Sequence, residues 1–117
     1  SLAAVETVHS QRNLGLLLDD GAKKLYYSGD GRPSEPVANL VAGCDIVIHE
    51  AFMLNDEFPF HGSITGCLEL FKECSSCAMA LVHLERRFRR DQAAVIQTYL
   101  DRNPSLFLPV PGTILHI

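Results

Sequence analysis

The sequence predicts a layered α/β fold. Three observations carry that prediction. Apolar runs of strand length alternate with segments of helical period through the middle of the chain, turn-forming Gly, Asp, Asn or Pro residues punctuate them, and no internal repeat or low-complexity segment interrupts the order. At 117 residues, 47% of them hydrophobic, the chain has the size and apolar content of one globular domain. A domain this short buries a smaller share of its surface than a larger one, so it can depend on a partner layer to cover an apolar face.

Residues 4–8, Ala-Val-Glu-Thr-Val, alternate in polarity and predict a first strand. Residues 14–18 form an apolar run ending at Asp19-Asp20-Gly21, which predicts a second strand followed by a turn. Leu25-Tyr26-Tyr27 is a third strand running into Ser28-Gly29-Asp30-Gly31, where the glycines free the backbone to aim a side chain into a cleft. Pro33 and Pro36 bracket Ser34-Glu35, a cap-like start for a helix that ends near Val41 and stops at Gly43. The Ile/Val content of 44–49 predicts a buried strand. Residues 53–62 read as loop, and Ser63 caps a helix carrying Ile64, Cys67, Leu68, Leu70 and Phe71 at helical spacing. A strand over 78–83 and a helix over 90–102, stopped by Asn103-Pro104, follow. Leu106–Leu108 and Thr113–Leu115 are expected as closing strands around Pro109, Pro111 and Gly112.

A net charge of −4 argues against a globally basic nucleic-acid-coating protein, so any phosphate contact has to be local. There is no apolar run of about 18 residues and no N-terminal charged-then-apolar signal, so neither a membrane span nor a secretion signal is expected, and the cytoplasm is the expected compartment. The opening Ser1-Leu2, without an initiator Met, is what a chain cut from a longer one would begin with. Of the four cysteines, Cys44 sits in a strand-like run and Cys67 in a helix-like one, which is not a secreted disulfide framework. Cys74-Ser75-Ser76-Cys77 has the spacing of zinc and redox motifs, but no second ligand pair follows closely. The pair is therefore read as reduced thiols at a helix-to-strand junction.

Four residues at predicted strand ends carry the chemistry: His9 after the first strand, Asp30 after the third, Glu50 after the fourth and His83 after the fifth. In layered α/β folds ligands gather beyond one edge of the sheet, where residues distant in sequence converge. Imidazole nitrogen and carboxylate oxygen together suit zinc, manganese or iron. Singly, each has an ordinary structural reading, a turn Asp beside glycine or a histidine satisfied at the end of a core strand.

The first of several ordered motifs between about Val5 and Arg90 is Tyr27-Ser28-Gly29-Asp30-Gly31-Arg32-Pro33, preceded by Val8-His9, which resembles the Ser-Gly-Asp-Thr-Arg segment of the ribonuclease Z branch of the metallo-β-lactamase-fold hydrolases. Asp45-Ile46-Val47-Ile48-His49-Glu50-Ala51-Phe52 resembles its His-Glu-Ala-Thr stretch, and His61-Gly62-Ser63-Ile64 its His-Ser-Thr segment. Ala80-Leu81-Val82-His83-Leu84 resembles the strand that delivers the last metal-binding histidine.

The resemblance implies half of a four-layer αββα sandwich, a mixed sheet flanked by helices, with residues 1–117 as the C-terminal portion of the domain and the N-terminal metal-binding half absent. It implies two divalent metal ions, zinc ahead of manganese or iron, with His9 on one metal, Asp30 bridging and His83 on the other. Glu50 and His61 would be the pair that assists proton transfer to the leaving group. The His-x-His-x-Asp-His motif, which supplies four further ligands in the family, is not in these residues, so the rest of each coordination sphere would come from the missing half or from an oligomer partner.

Gly31 for threonine, Phe52 for threonine, Gly62 for serine and Leu84-Glu85-Arg86-Arg87 for Phe-Ser-x-Arg depart from the family pattern, and they bear on RNA specificity more than on metal binding. Arg86, Arg87, Arg89 and Arg90 form the only dense basic cluster. Arg86 and Arg87 are candidate phosphate contacts, the alternative being a solvated helix start. The expected activity is metal-dependent hydrolysis of phosphodiesters, RNA among them, or of another small ester. The alternative is a non-catalytic module of the same fold that binds a partner, or oligomerises, through the apolar face left bare.

Overall fold

The computed structural model describes residues 1–74 and 77–117. Strands β1 (Leu2–Thr7), β2 (Asn13–Asp19) and β3 (Lys24–Tyr27) form an antiparallel meander. From β3 the sheet continues in parallel through β4 (Ile46–Glu50), β5 (Ala78–Val82) and β6 (Leu106–Phe107), so all six strands lie in sequence order in one mixed sheet. Helices occupy the parallel crossovers: α1 (Glu35–Val41), α2 (Ile64–Lys72), and the pair α3 (Arg86–Asp91) and α4 (Ala93–Arg102).

The helix starts follow local chemistry. Ser34 stands at the N-cap of α1, with a proline in its first turn where the missing N–H costs nothing. Ser63 Oγ accepts the Gly66 N–H at 2.9 Å at the head of α2. Glu85 accepts the Phe88 N–H at 2.7 Å, which starts α3 four residues ahead of the helix expected at 90. Gln92, at φ −114° and ψ 24°, then leaves helical geometry and divides the expected single helix into α3 and α4.

One sheet face carries Tyr26, Val47, Met79 and Leu81 into the core, where Val37 and Val41 of α1, Ile64, Cys67 and Leu70 of α2, Phe88 of α3 and Ile96 of α4 meet them. The register sets Leu2, Leu18 and Leu25 side by side on the other face, beside the row Ala4, Leu16, Tyr27 and Ile48. That face is just as apolar, yet Leu2, Leu14, Leu18 and Tyr27 are exposed. A sheet with helices packed on one face and an open apolar second face is half of the sandwich that the motifs lead one to expect.

Two further expectations are corrected. Residues 113–115 form no strand: Val110 to Thr113 close a turn through Thr113 N–H to the Val110 carbonyl (2.9 Å) and Val110 N–H to Thr113 Oγ1 (3.0 Å), with Gly112 at φ +90° between them. Cys74 and Cys77 do sit at the junction of α2 and β5, but as a disulfide, not as reduced thiols, because the short connection brings their Cα atoms to 5.7 Å, within bridging range. Ser75 and Ser76 between them lie outside the described residues. Cys44 and Cys67 are free and buried. No helix among the described residues is long and apolar enough to cross a membrane.

Candidate metal centre

Strand direction places the chemistry. β1 and β3 both run opposite to β2, and β4 and β5 run parallel to β3, so the carboxyl ends of β1, β3, β4 and β5 share one edge. His9, Asp30, Glu50 and His83 all emerge there, and the loop before α2 adds His61.

Glu50 is the hub. Its side chain is fully buried, and its Oε1 accepts the backbone N–H groups of Gly31 and of Gly62, the latter at 2.9 Å. Its Oε2 lies 3.2 Å from His61 Nδ1 and 3.2 Å from His83 Nδ1. His83 Nδ1 is also 3.0 Å from Asp30 Oδ1, so that one imidazole touches two carboxylates. His9 stands beside them, its imidazole edge-on to that of His61 with ring centroids 5.8 Å apart and its Nδ1 accepting the Gln11 N–H at 3.3 Å.

Among the described residues, ligand atoms of Glu50, His61 and His83 all lie within 4.8 Å of one another. Nitrogen and oxygen donors this close, with Asp30 against the same histidine, have the chemistry to hold a divalent ion of the zinc, manganese or iron type. His83 reaches this position at φ +62°, a left-handed conformation that non-glycine residues rarely adopt and that functional sites often retain.

Side chains that the sequence did not single out hold the loops in place. Asn13 Oδ1 accepts the Asp30 N–H (3.2 Å), its amide donates to the Ser28 carbonyl (3.2 Å), and the Thr7 hydroxyl donates to the Asp30 carbonyl (3.4 Å). Ser28, fully buried, accepts the Glu50 N–H at 2.9 Å and donates to the Gly29 carbonyl at 2.7 Å. Beneath Glu50, His49 places Nδ1 2.8 Å from the Glu50 carbonyl, while Cys67 Sγ lies 3.3 Å from the same oxygen. Burial lowers the His49 pKa and raises that of the Cys67 thiol, so both are neutral packing groups at neutral pH. Arg32 and the Ser63 hydroxyl clasp Asp56 Oδ1 at 2.9 and 2.7 Å. Burial works to raise the Asp56 pKa but is outweighed by these two partners, which hold it below the usual carboxylate range.

Two departures from the family motifs acquire a reason. A Cβ on Gly31, at φ +122°, would come within 2.7 Å of the Val8 carbonyl oxygen, and one on Gly62 within 2.5 Å of the Glu50 carbonyl oxygen. Both glycines let the backbone approach closely enough to donate to the buried carboxylate. Gly62→Ala therefore forces the loop off Glu50. It is expected to lower thermal stability by about 1–3 kcal/mol, the cost of an overpacked or unsatisfied buried site. Unchanged melting by circular dichroism would show that the loop adapts freely.

Arg86 and Arg87 stand exposed on the first turn of α3, three and four residues beyond His83, and neither is ion-paired among the described residues. Arg90, in contrast, is paired to Asp91 at 2.6 Å.

Comparison with known proteins agrees with this fold. The Beta-lactamase superfamily domain family matches residues 2–84. Ribonuclease Z of Saccharolobus solfataricus is 31% identical over 68 residues, a stretch covering 56% of this chain and 23% of that enzyme. The structure of the metallo-beta-lactamase fold protein YhfI from Bacillus subtilis superposes with a TM-score of 0.80 at 15% identity, covering 98% of this chain and 49% of YhfI. Human tRNase Z, short form, superposes with a TM-score of 0.65 at 21% identity over 74% of this chain and 36% of the enzyme. The chain thus spans about a quarter of the curated relative and about half or less of the solved ones.

Proposed function

Because the chain belongs to the Beta-lactamase superfamily domain family, we propose that it is the C-terminal portion of a metal-dependent hydrolase that cleaves phosphodiesters in the manner of ribonuclease Z. The observation that carries this reading is the convergence of Asp30, Glu50, His61 and His83 at one sheet edge, with His9 beside them. Phosphodiesters, RNA among them, are the proposed substrates, other small esters are the alternatives, and the cytoplasm is the compartment we assign.

His9, Asp30 and His83 would hold two divalent ions, zinc ahead of manganese or iron, with Asp30 shared between them. The ions, when bound, supply hydroxide near neutral pH and polarise the phosphoryl oxygen under attack. The residues of this chain do the rest. Glu50 accepts from His61 Nδ1 and fixes the ring, which leaves Nε2 to carry a proton to the departing oxygen. The two glycine N–H groups hold the Glu50 carboxylate in place, so His61 is positioned before substrate arrives. Arg86 and Arg87, without an ion-pair partner among the described residues and close in sequence to His83, would draw a phosphate backbone toward the site.

The open apolar face, with Leu2, Leu14, Leu18 and Tyr27 exposed, supports the domain proposal: an N-terminal half packs there and brings the remaining ligands. The same face supports a second reading, a non-catalytic module that uses it to bind a partner or a second copy.

Hydrolysis of bis(p-nitrophenyl) phosphate by the full-length protein separates the two. Turnover that falls to background on chelation and returns with zinc or manganese is expected. Chelator-insensitive turnover, or metal-free dimerisation without turnover, would overturn the hydrolase reading. In the same assay Arg86→Ala and Arg87→Ala should each raise KM several-fold, and an unchanged KM would remove them from the substrate path.

A further inference from the structure

The segment between β4 and α2 surrounds His61 with aromatic rings that the core does not use. Phe52 stacks on the His61 imidazole, with centroids 4.4 Å apart and planes 21° apart. Phe58 stands edge-on to both, 5.5 Å from Phe52 and 6.4 Å from His61. None of Phe52, Phe58 and Phe60 belongs to the hydrophobic core or to the apolar side chains packed against it, and Phe58 and Phe60 each remain 43% exposed.

Leaving a large aromatic ring in water forgoes the stabilisation that burial would give it, so its position beside a chemical site calls for a reason beyond packing. The loop is also anchored. Asp56 ties it to Arg32 and Ser63, and the His61 backbone N–H donates to the Phe58 backbone carbonyl at 3.4 Å, so a closed turn sets the spacing between the two residues. The result is an apolar wall, fixed in place, next to the nitrogen that would serve the leaving group.

We infer that Phe58, backed by Phe52, is a specificity-determining residue that stacks on a flat aromatic ring carried by the substrate. The inference rests on the hydrolase reading above and narrows its substrate class to esters bearing a planar ring near the scissile bond, whether a nucleobase or a simple aryl group. A π-face is what the two sources share, and stacking is tolerant of which ring supplies it. Phe52, already stacked on His61, keeps the imidazole upright, and Phe58 is the exposed member with room to receive a ring.

The test is binding of four phosphate monoesters to the metal-loaded full-length protein by calorimetry: phenyl phosphate against methyl phosphate, and AMP against ribose 5-phosphate. Each pair differs by one aromatic ring. The wild-type protein should favour the ring-bearing member by roughly tenfold, within the range that stacking on an aromatic side chain supplies. Phe58→Ala and Phe58→Leu should bring the ratio close to one, while Phe58→Tyr keeps it. Phe58→Leu retains apolar bulk without a ring, which separates stacking from general hydrophobic contact. A larger ratio for the AMP pair points to a nucleobase, and a larger ratio for the phenyl pair to an aryl ester; either supports the inference. Equal binding within both pairs, or a preference that survives in Phe58→Leu, would overturn it while leaving the hydrolase reading intact. No binding of any of the four would overturn both.

Discussion

In the full-length protein, His61→Ala should lower kcat for an alkyl phosphodiester by about 10²–10⁴-fold, the usual contribution of a positioned general acid. The loss should shrink to roughly tenfold on bis(p-nitrophenyl) phosphate, whose leaving group departs without needing a proton. The dependence on leaving group is the informative part. His61 rests Nδ1 against Glu50 and packs one face on Phe52, a placement suited to handing over a proton. Equal losses on both substrates would mean that His61 acts by holding the metals or the loop instead.

Glu50→Ala should produce the largest loss of stability. The carboxylate is fully buried, and removing it leaves the Gly31 and Gly62 N–H groups without an acceptor, while His61 and His83 lose their shared partner. At about 1–3 kcal/mol for each buried group left unsatisfied, the total cost is about 2–6 kcal/mol. That corresponds to a fall in Tm of roughly 10 °C or more for a domain of this size. Glu50→Gln, which keeps one oxygen acceptor, should fall between the two. Melting within about 2 °C of the wild type would show that solvent reaches those N–H groups, contrary to the packing described.

What could be read from the sequence was what local chemistry determines. The periodicity of 14–18 and 46–50, the Ser34 and Ser63 caps, and the Gly-flanked Asp30 each express themselves within a few residues, so β2, β4, α1, α2 and the strand-end positions of His9, Asp30, Glu50 and His83 could be placed. The supporting contacts could not. Asn13 reaches Asp30 across 17 residues and Ser28 reaches Glu50 across 22, and such pairings depend on strand order. Gly31 and Gly62 looked like weakened motif positions, yet their missing side chains allow the backbone to bind Glu50. The break at Gln92 turns on a single backbone conformation, and the Cys-x-x-Cys spacing suits thiols and disulfide alike.

The same geometry explains why Glu50 resists assignment to one role. The sequence resemblance divides the residues into ligands, His9, Asp30 and His83, and a proton pair, Glu50 and His61. In the fold His83 touches both carboxylates, so the two groups form one continuous network. Substitutions within it are expected to be non-additive, because each member positions its neighbour.

On the function proposed above, His9, Asp30 and His83 contribute ligands to a two-metal site completed outside this chain. The most direct test of that assignment is the metal content of the full-length protein, purified with zinc and compared with its Asp30→Ala variant. About two ions per chain, falling to one or fewer in the variant while the fold is retained by circular dichroism, is the result predicted from a shared bridging carboxylate. Metal content that is unchanged by Asp30→Ala, or absent from the wild-type protein, would contradict it.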